Sequence, residues 1–221
     1  MSFRGEIEAR CPKGCEPFTT EVWSFINGGA SPELREAVMA RECNMLLCPG
    51  CDAVFFPPEP YVYFEPDAEL LAFVFPESFR EREEFWRKKM HDDFETMRAN
   101  LGKSLPLEVE PEIFFGIEDL AVLLEGEDYR GVETEVMEAV ASGVGLSLYR
   151  VSRKFAREKG VPRSLPYDGA KGGRASLESL VLGLEKLLAA NGRLGAYKAY
   201  LASLRSSPPE KLPPRSRDKR P

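Results

Sequence analysis

A single histidine, His91, in a chain of 221 residues leaves Ser-His-Asp and Cys-His catalysis little to draw on, because both use an imidazole as the working base. Long hydrophobic runs are missing as well. The longest apolar stretch, Leu70 to Phe75, has the length of a strand and falls far short of the roughly 20 residues of a membrane span. No basic-then-apolar segment opens the chain, so a secretory route is not expected. Together these absences predict a cytoplasmic protein without a membrane partner. What remains is ordinary for a soluble globular chain, with 43% hydrophobic and 30% charged residues and enough length to bury a core.

Cysteine is scarce, but four of the five stand in two short knuckles, Cys11-Pro12-Lys13-Gly14-Cys15 and Cys48-Pro49-Gly50-Cys51. Two such turns facing each other make a four-sulfur cage suited to Zn²⁺. Glycine in each knuckle fits, because amide groups turned toward bound sulfurs need backbone angles that glycine adopts easily. The reading is one structural zinc per chain held by Cys11, Cys15, Cys48 and Cys51. One or two disulfides, or a redox-active pair at Cys48 and Cys51, are the alternatives; a reducing compartment favours metal over disulfides. Cys43 reads as a small buried hydrophobe, with replacement of Cys15 as a ligand its other reading.

The residues around the knuckles carry more. Glu21-Val22-Trp23-Ser24-Phe25-Ile26-Asn27, Ser31-Pro32-Glu33-Leu34-Arg35-Glu36 and Asn44-Met45-Leu46-Leu47-Cys48-Pro49-Gly50-Cys51 closely resemble the CpXC family of bacterial proteins, and Pro60-Tyr61-Val62-Tyr63 and Leu71-Ala72-Phe73-Val74-Phe75-Pro76-Glu77 extend the likeness. It covers about residues 6–90 and continues more loosely to about residue 140. The resemblance implies a zinc-ribbon-like domain and leaves the biochemical role open. The first knuckle departs from the family in having three residues between its cysteines, and Asp52 stands where a glycine commonly follows the second pair.

Charge is distributed unevenly. Residues 1–75 carry a net −7, residues 76–135 a net −9, and residues 136–221 a net +10. An acidic zinc module does not read as a DNA-binding finger, because phosphate neutralisation dominates nucleic-acid affinity. Only the C-terminal third offers a place for an anionic partner.

In chain order, Phe18 to Asn27 is a strand turned by Asn27-Gly28-Gly29, with Val22, Ser24 and Ile26 on one face. Ser31 caps a helix that starts at Pro32 and packs through Leu34, Val38 and Met39. Strands are expected over Ala53–Phe56, Tyr61–Phe64 and Leu70–Phe75, the last under a helix. That helix begins in a capping box at Ser78 and Glu81, with Trp86, Met90, Phe94, Met97 and Leu101 as its core stripe. His91 and Glu95 share a turn beside the stripe, which is too few ligands for a transition metal. A strand over Leu107–Phe115 precedes two short helices, around Leu120/Leu123/Leu124 and Val132/Val136/Val140.

Residues 146–159 read as a helix with Arg150, Arg153, Lys154 and Arg157 in one basic stripe and Leu148, Val151 and Phe155 opposite. Gly169 to Ser176 lacks the spacing of a phosphate loop and reads as a linker. Two amphipathic helices follow, one through Leu177 to Leu188 and one through Leu194 to Leu204. The expected class is α+β: a zinc-ribbon-like domain with its long helix over 1–103, a continuation over 104–165, a helical hairpin over 166–205, and a disordered basic tail over 206–221. The functional expectation is a non-catalytic zinc protein whose surface binds an unidentified protein partner. Nucleic-acid or other polyanion binding through the basic third, and a thiol redox role at Cys48 and Cys51, are the alternatives.

Overall fold

β6 (Leu70–Phe75) is buried at all six positions, and the first half of the chain assembles around it. The computed structural model describes residues 1–101, 109–169 and 174–216. Two units make up the chain, Met1–Gly126 and Glu127–Pro221. The class is α+β, as the sequence predicts.

The first unit holds a mixed five-stranded sheet. Its strands are β1 (Phe3–Ala9), β2 (Phe18–Asn27), β5 (Tyr61–Glu65), β6 and β7 (Glu112–Phe115), in the order β1-β2-β5-β6-β7. A separate antiparallel pair is formed by β3 (Leu46–Leu47) and β4 (Val54–Phe55). β1 pairs antiparallel with β2, β5 antiparallel with β6, and β2–β5 and β6–β7 are parallel. Side chains alternate across each strand, and both sheet faces are covered. On one face Ile26, Tyr63, Leu70, Ala72 and Val74 meet Val38 of α1 (Pro32–Met39) and Leu120 and Leu124 of α3 (Glu118–Gly143). On the other, Phe25, Phe64, Leu71, Phe73 and Phe75 meet Met90 and Phe94 of α2 (Glu83–Leu101). A strand hydrophobic on both faces is what such a sandwiched position demands.

Local differences from the sequence reading have local causes. β1, where the less exposed positions are Gly5, Ile7 and Ala9 and only one of them is a large apolar residue, carries too weak an alternation to read as a strand; its partner β2 holds it in place. Ser31 does not cap α1 with its side chain; its hydroxyl instead bonds the Ser2 hydroxyl at 3.0 Å, which accepts from the Asn27 N–H. The capping box at Ser78 and Glu81 is absent. Glu77–Arg82 is a 3₁₀ turn, drawn in by Phe79 stacking on Trp86 at 4.3 Å and by Glu77 pairing with Arg80. The strand read over Leu107–Phe115 is Glu112–Phe115, and residues 107 and 108 lie outside the described residues.

α3 is one helix of 26 residues where two were read. Gly126 and Gly131 lie inside it and do not break it, since a single helical glycine costs only about 1 kcal/mol. Its turns up to Gly126 belong to the first unit and the remainder to the second. Val132 and Val136 are exposed, while Met137 and Ala141 are buried. Two valines at helical spacing do not reveal which face finds a partner.

In the second unit, residues 146–159 are not one helix. Ser147–Arg150 form β8, antiparallel to β9 (Ser164–Tyr167). Ser152 then accepts from the Phe155 N–H and starts α4 (Arg153–Lys159), which Gly160 ends in a left-handed conformation. The alternation of Leu148 and Arg150 with Tyr149 and Val151 serves a strand as well as a helix, and pairing with β9 decides between them. The basic stripe is accordingly divided, with Arg150 on a strand and Arg153, Lys154 and Arg157 on α4.

α5 (Leu177–Ala190) and α6 (Gly195–Ser206) bury Leu184, Leu187, Tyr197, Leu201 and Leu204 together with Met137 and Ala141 of α3. A Ser176/Ser179 capping box starts α5. Of the linker read over Gly169–Ser176, residues 170–173 lie outside the described residues.

The expected disordered tail is not what residues 207–216 form. Pro213 accepts from the Tyr149 hydroxyl, Pro214 from the Ser152 N–H, and Ser216 donates to the Arg150 carbonyl. Proline and serine make this segment look unstructured, yet the open edge of β8 supplies its backbone with partners. Residues 217–221 lie outside the described residues.

Close packing in this unit makes one test simple. A Cβ on Gly183 would come within 2.5 Å of the Pro166 carbonyl oxygen and the Tyr167 Cα, both backbone atoms that cannot swing away. Gly183→Ala is therefore expected to lower stability by about 1–3 kcal/mol through overpacking, despite the better helix propensity of alanine. Chemical denaturation of the two proteins checks this.

Candidate metal centre

Each knuckle sits where an antiparallel pair turns. The first follows β1. Cys11 opens a turn closed by the Gly14 N–H donating to the Cys11 carbonyl at 3.0 Å, and the Lys13 N–H points at the Cys11 sulfur at 3.4 Å. Gly14 has φ +79°, a conformation that costs glycine little, and this one residue absorbs the extra spacer position. Cys15 is thereby brought into the cluster.

The second knuckle joins β3 to β4. The Cys48 N–H donates to the Ala53 carbonyl and the Asp52 N–H to the Cys48 carbonyl, both at 2.9 Å. Asp52 has φ +55°. This left-handed position explains why glycine suits it and why aspartate, which tolerates that region better than most residues, can replace it.

Two clamps hold the second knuckle. The Asn44 side chain accepts from the Trp23 N–H at 2.7 Å and donates to the Trp23 carbonyl at 2.9 Å, pairing with β2 as another strand would. Phe18 of β2 meets Phe55 of β4 edge-on at 6.3 Å. Just upstream, Arg41 bonds both carboxylate oxygens of Glu118 at 3.0 Å and pairs with Glu125. Asn44 was not singled out in the sequence; an asparagine four residues before a knuckle cysteine carries no signal until its partner strand is known.

The sulfurs of Cys11, Cys15, Cys48 and Cys51 all lie within 4.8 Å of one another. Cys11 and Cys51 are 3.7 Å apart, close to the edge, roughly 3.8 Å, of a sulfur tetrahedron around a metal at 2.3 Å. Cys48 and Cys11 are buried, and Cys15 and Cys51 partly so. None of the five cysteines is bridged. The thiols influence one another's protons. Burial pushes the Cys48 thiol up, but the Gly50 N–H and the neighbouring thiols outweigh it and bring it down to about 7. Cys15, hydrogen-bonded by Cys51, Cys48 and Cys11, is pushed up to about 12. Four sulfur donors within 4.8 Å of one another, with amide groups directed at Cys11 and Cys48, could hold one thiophilic metal ion.

Cys43 stands apart. It is 4% exposed in the core formed with Ile26, Val38 and Tyr61, and burial pushes its thiol up to about 12. In metal-stripped protein at pH 8, where the two knuckles have lost their fastening, iodoacetamide is expected to label the four knuckle cysteines and to leave Cys43, packed in the core, unlabelled until the chain is denatured. Peptide mass spectrometry reads the outcome. His91 is exposed on α2, outside the cysteine cluster, and Glu95 is paired with Arg98.

Among the described residues no helix is long and apolar enough to cross a membrane. No curated protein and no solved structure matches the chain. The profile of the CpXC protein family does match, over residues 9–139. That span is more than half of the chain and contains both knuckles, the clamp at Asn44 and the whole of β6. This chain belongs to the CpXC family.

Proposed function

We propose that the protein is a non-catalytic zinc protein in which one structural Zn²⁺ per chain, bound by Cys11, Cys15, Cys48 and Cys51, fastens the β3–β4 hairpin to the β1–β2 turn in a zinc-ribbon-like arrangement, and that the fastened surface binds another protein. The observation that carries this reading is the sulfur tetrad. All four coordination positions are filled by side chains, whereas catalytic zinc keeps one position for water or substrate. Zinc suits four thiolates without redox change, and the arrangement belongs in a compartment where thiols stay reduced.

The partner surface rests on a second observation. Met45, Leu47, Val54 and Phe56, on and beside β3–β4, are between 43% and 60% exposed, an apolar set that marks contact surfaces when grouped. From Glu42 to Phe79 there is no lysine or arginine. The β3–β4 hairpin thus contributes apolar side chains and no cation of its own, which suits a protein partner better than a polyanion. Nucleic-acid binding through the C-terminal third ranks second, because Arg150, Lys154 and Arg157 have acidic partners in Glu138, Glu158 and Glu127.

Metal analysis of the purified chain, with thiol titration before and after chelation, tests the reading. The expected result is one zinc per chain and four thiols that become titratable when it is removed. Metal-free protein as isolated, with Cys48 and Cys51 cycling between dithiol and disulfide, would replace this reading with a thiol redox role.

A further inference from the structure

Along its run in the second unit, α3 is apolar on two opposite faces. Met137 and Ala141 are buried with residues of α5 and α6. On the far side Tyr129, Val132 and Val136 are 79%, 60% and 56% exposed, and Ala139 is exposed as well. These four follow one another at spacings of three, four and three residues, the a and d positions of a heptad that starts at Tyr129. Solvent-facing helix positions are ordinarily polar. Helix propensity does not account for the stripe either, since valine is a middling helix former. An apolar a/d seam of this kind is built to receive a second helix.

The flanks of the seam decide which kind of helix fits. Glu133 stands at e and Glu135 at g, both exposed. Asp128, on the same flank as Glu135, is engaged in other interactions. Arg130, Glu138 and the buried Glu127 lie on the opposite half of the helix, at b, c and f, with Glu138 paired to Arg150. We propose that this seam docks a basic amphipathic helix of a partner protein, with apolar residues at its own a and d positions and Lys or Arg at e and g. The e and g side chains of two paired helices meet across the seam, so cationic flanks find Glu133 and Glu135. A second copy of this chain fits less well, because self-pairing in either direction sets acidic flanks against each other. Carboxylate flanks likewise oppose approach to an anionic lipid surface. The seam lies wholly in the second unit and does not rest on the metal site.

The test is titration of the full chain with two labelled peptides of about four heptads each, with Ile at a and Leu at d. One carries Lys and the other Glu at every e and g position, and like charges discourage each from pairing with itself. Fluorescence anisotropy should show saturable binding of the Lys peptide at roughly 100 µM or tighter in low salt, weakening as salt rises, and none of the Glu peptide. Val132→Ser combined with Val136→Ser should weaken binding about tenfold or more, through loss of apolar area at the seam. Glu133→Lys combined with Glu135→Lys should reverse the preference, so that the Glu peptide binds and the Lys peptide does not. All four positions face solvent, so both double variants should unfold at nearly the same temperature as the unaltered chain. Failure of the Lys peptide to saturate, equal binding of the two peptides, or binding that neither double variant alters would overturn the proposal. Concentration-dependent dimerisation of the intact chain, abolished by the valine substitutions, would assign the seam to a second copy instead.

Discussion

Cys48→Ser is expected to abolish the metal binding proposed for the four-cysteine cluster and release the β3–β4 hairpin, while Cys43→Ser leaves both unchanged. A structural four-sulfur zinc site is worth about 10–16 kcal/mol of apparent binding free energy at neutral pH, and a buried ligand is not replaced by a hydroxyl. Cys48 is 0% exposed and its backbone closes the second knuckle. The damage should nevertheless stay local. The sheet is packed on both faces by α1, α2 and α3 through two separate clusters, so it has a core that does not depend on metal. Hydrogen exchange should rise sharply over residues 10–17 and 46–55 and little in β5 and β6, matching what a chelator does to the unaltered protein. Falling pH should release the metal in the same way, since protons compete for the thiolates. Full metal occupancy in Cys15→Ser, with loss in Cys43→Ser, would show that the fourth ligand is wrongly assigned.

Glu127→Gln is expected to be the most damaging single change in the second unit. The Glu127 side chain is 3% exposed and lies between Arg157 and Arg163, themselves 10% and 7% exposed. Burial already pulls the Arg163 guanidinium below its ordinary pKa, against the support of Glu127. Removing the carboxylate takes a buried ion-pair partner from Arg163, a loss of about 3–5 kcal/mol. Thermal unfolding of this unit should fall by roughly 10 °C or more. Glu138→Gln is the control. Its pair with Arg150 is exposed by 44% and 46%, and such pairs contribute less than about 1 kcal/mol. Equal melting temperatures for the two variants would show that Glu127 is not the buried counter-charge described here.

Much of the first unit was legible because its signals are local and strong. Leu70 to Phe75 is apolar at six consecutive positions, and only a strand covered on both faces accommodates that. The Trp86/Met90/Phe94 spacing has a single helical reading. The knuckle cysteines announce their chemistry by residue type and spacing alone. Signals failed where two structures satisfy the same pattern. Residues 147–157 have both a helical charge stripe and a strand alternation, and the choice lay with β9, whose own sequence gives no notice of the pairing. Ser78 and Glu81 have capping-box spacing, but aromatic stacking of Phe79 on Trp86 sets the local backbone. The proline-rich segment after Ser206 lacks any intrinsic preference and takes its conformation from the edge of β8.

The division follows the range of the forces involved. Cysteine spacing, helix periodicity and strand hydrophobicity are properties of a few neighbouring residues, so the chain alone pointed to four cysteines as a candidate ligand set, to the main elements of the first unit's core, and to the family to which they belong. Burial of charge and the meeting of distant side chains depend on loop closure across many residues. Only the tertiary structure therefore decided that Asn44 acts as a strand partner of Trp23 and that Glu127 stands between two arginines.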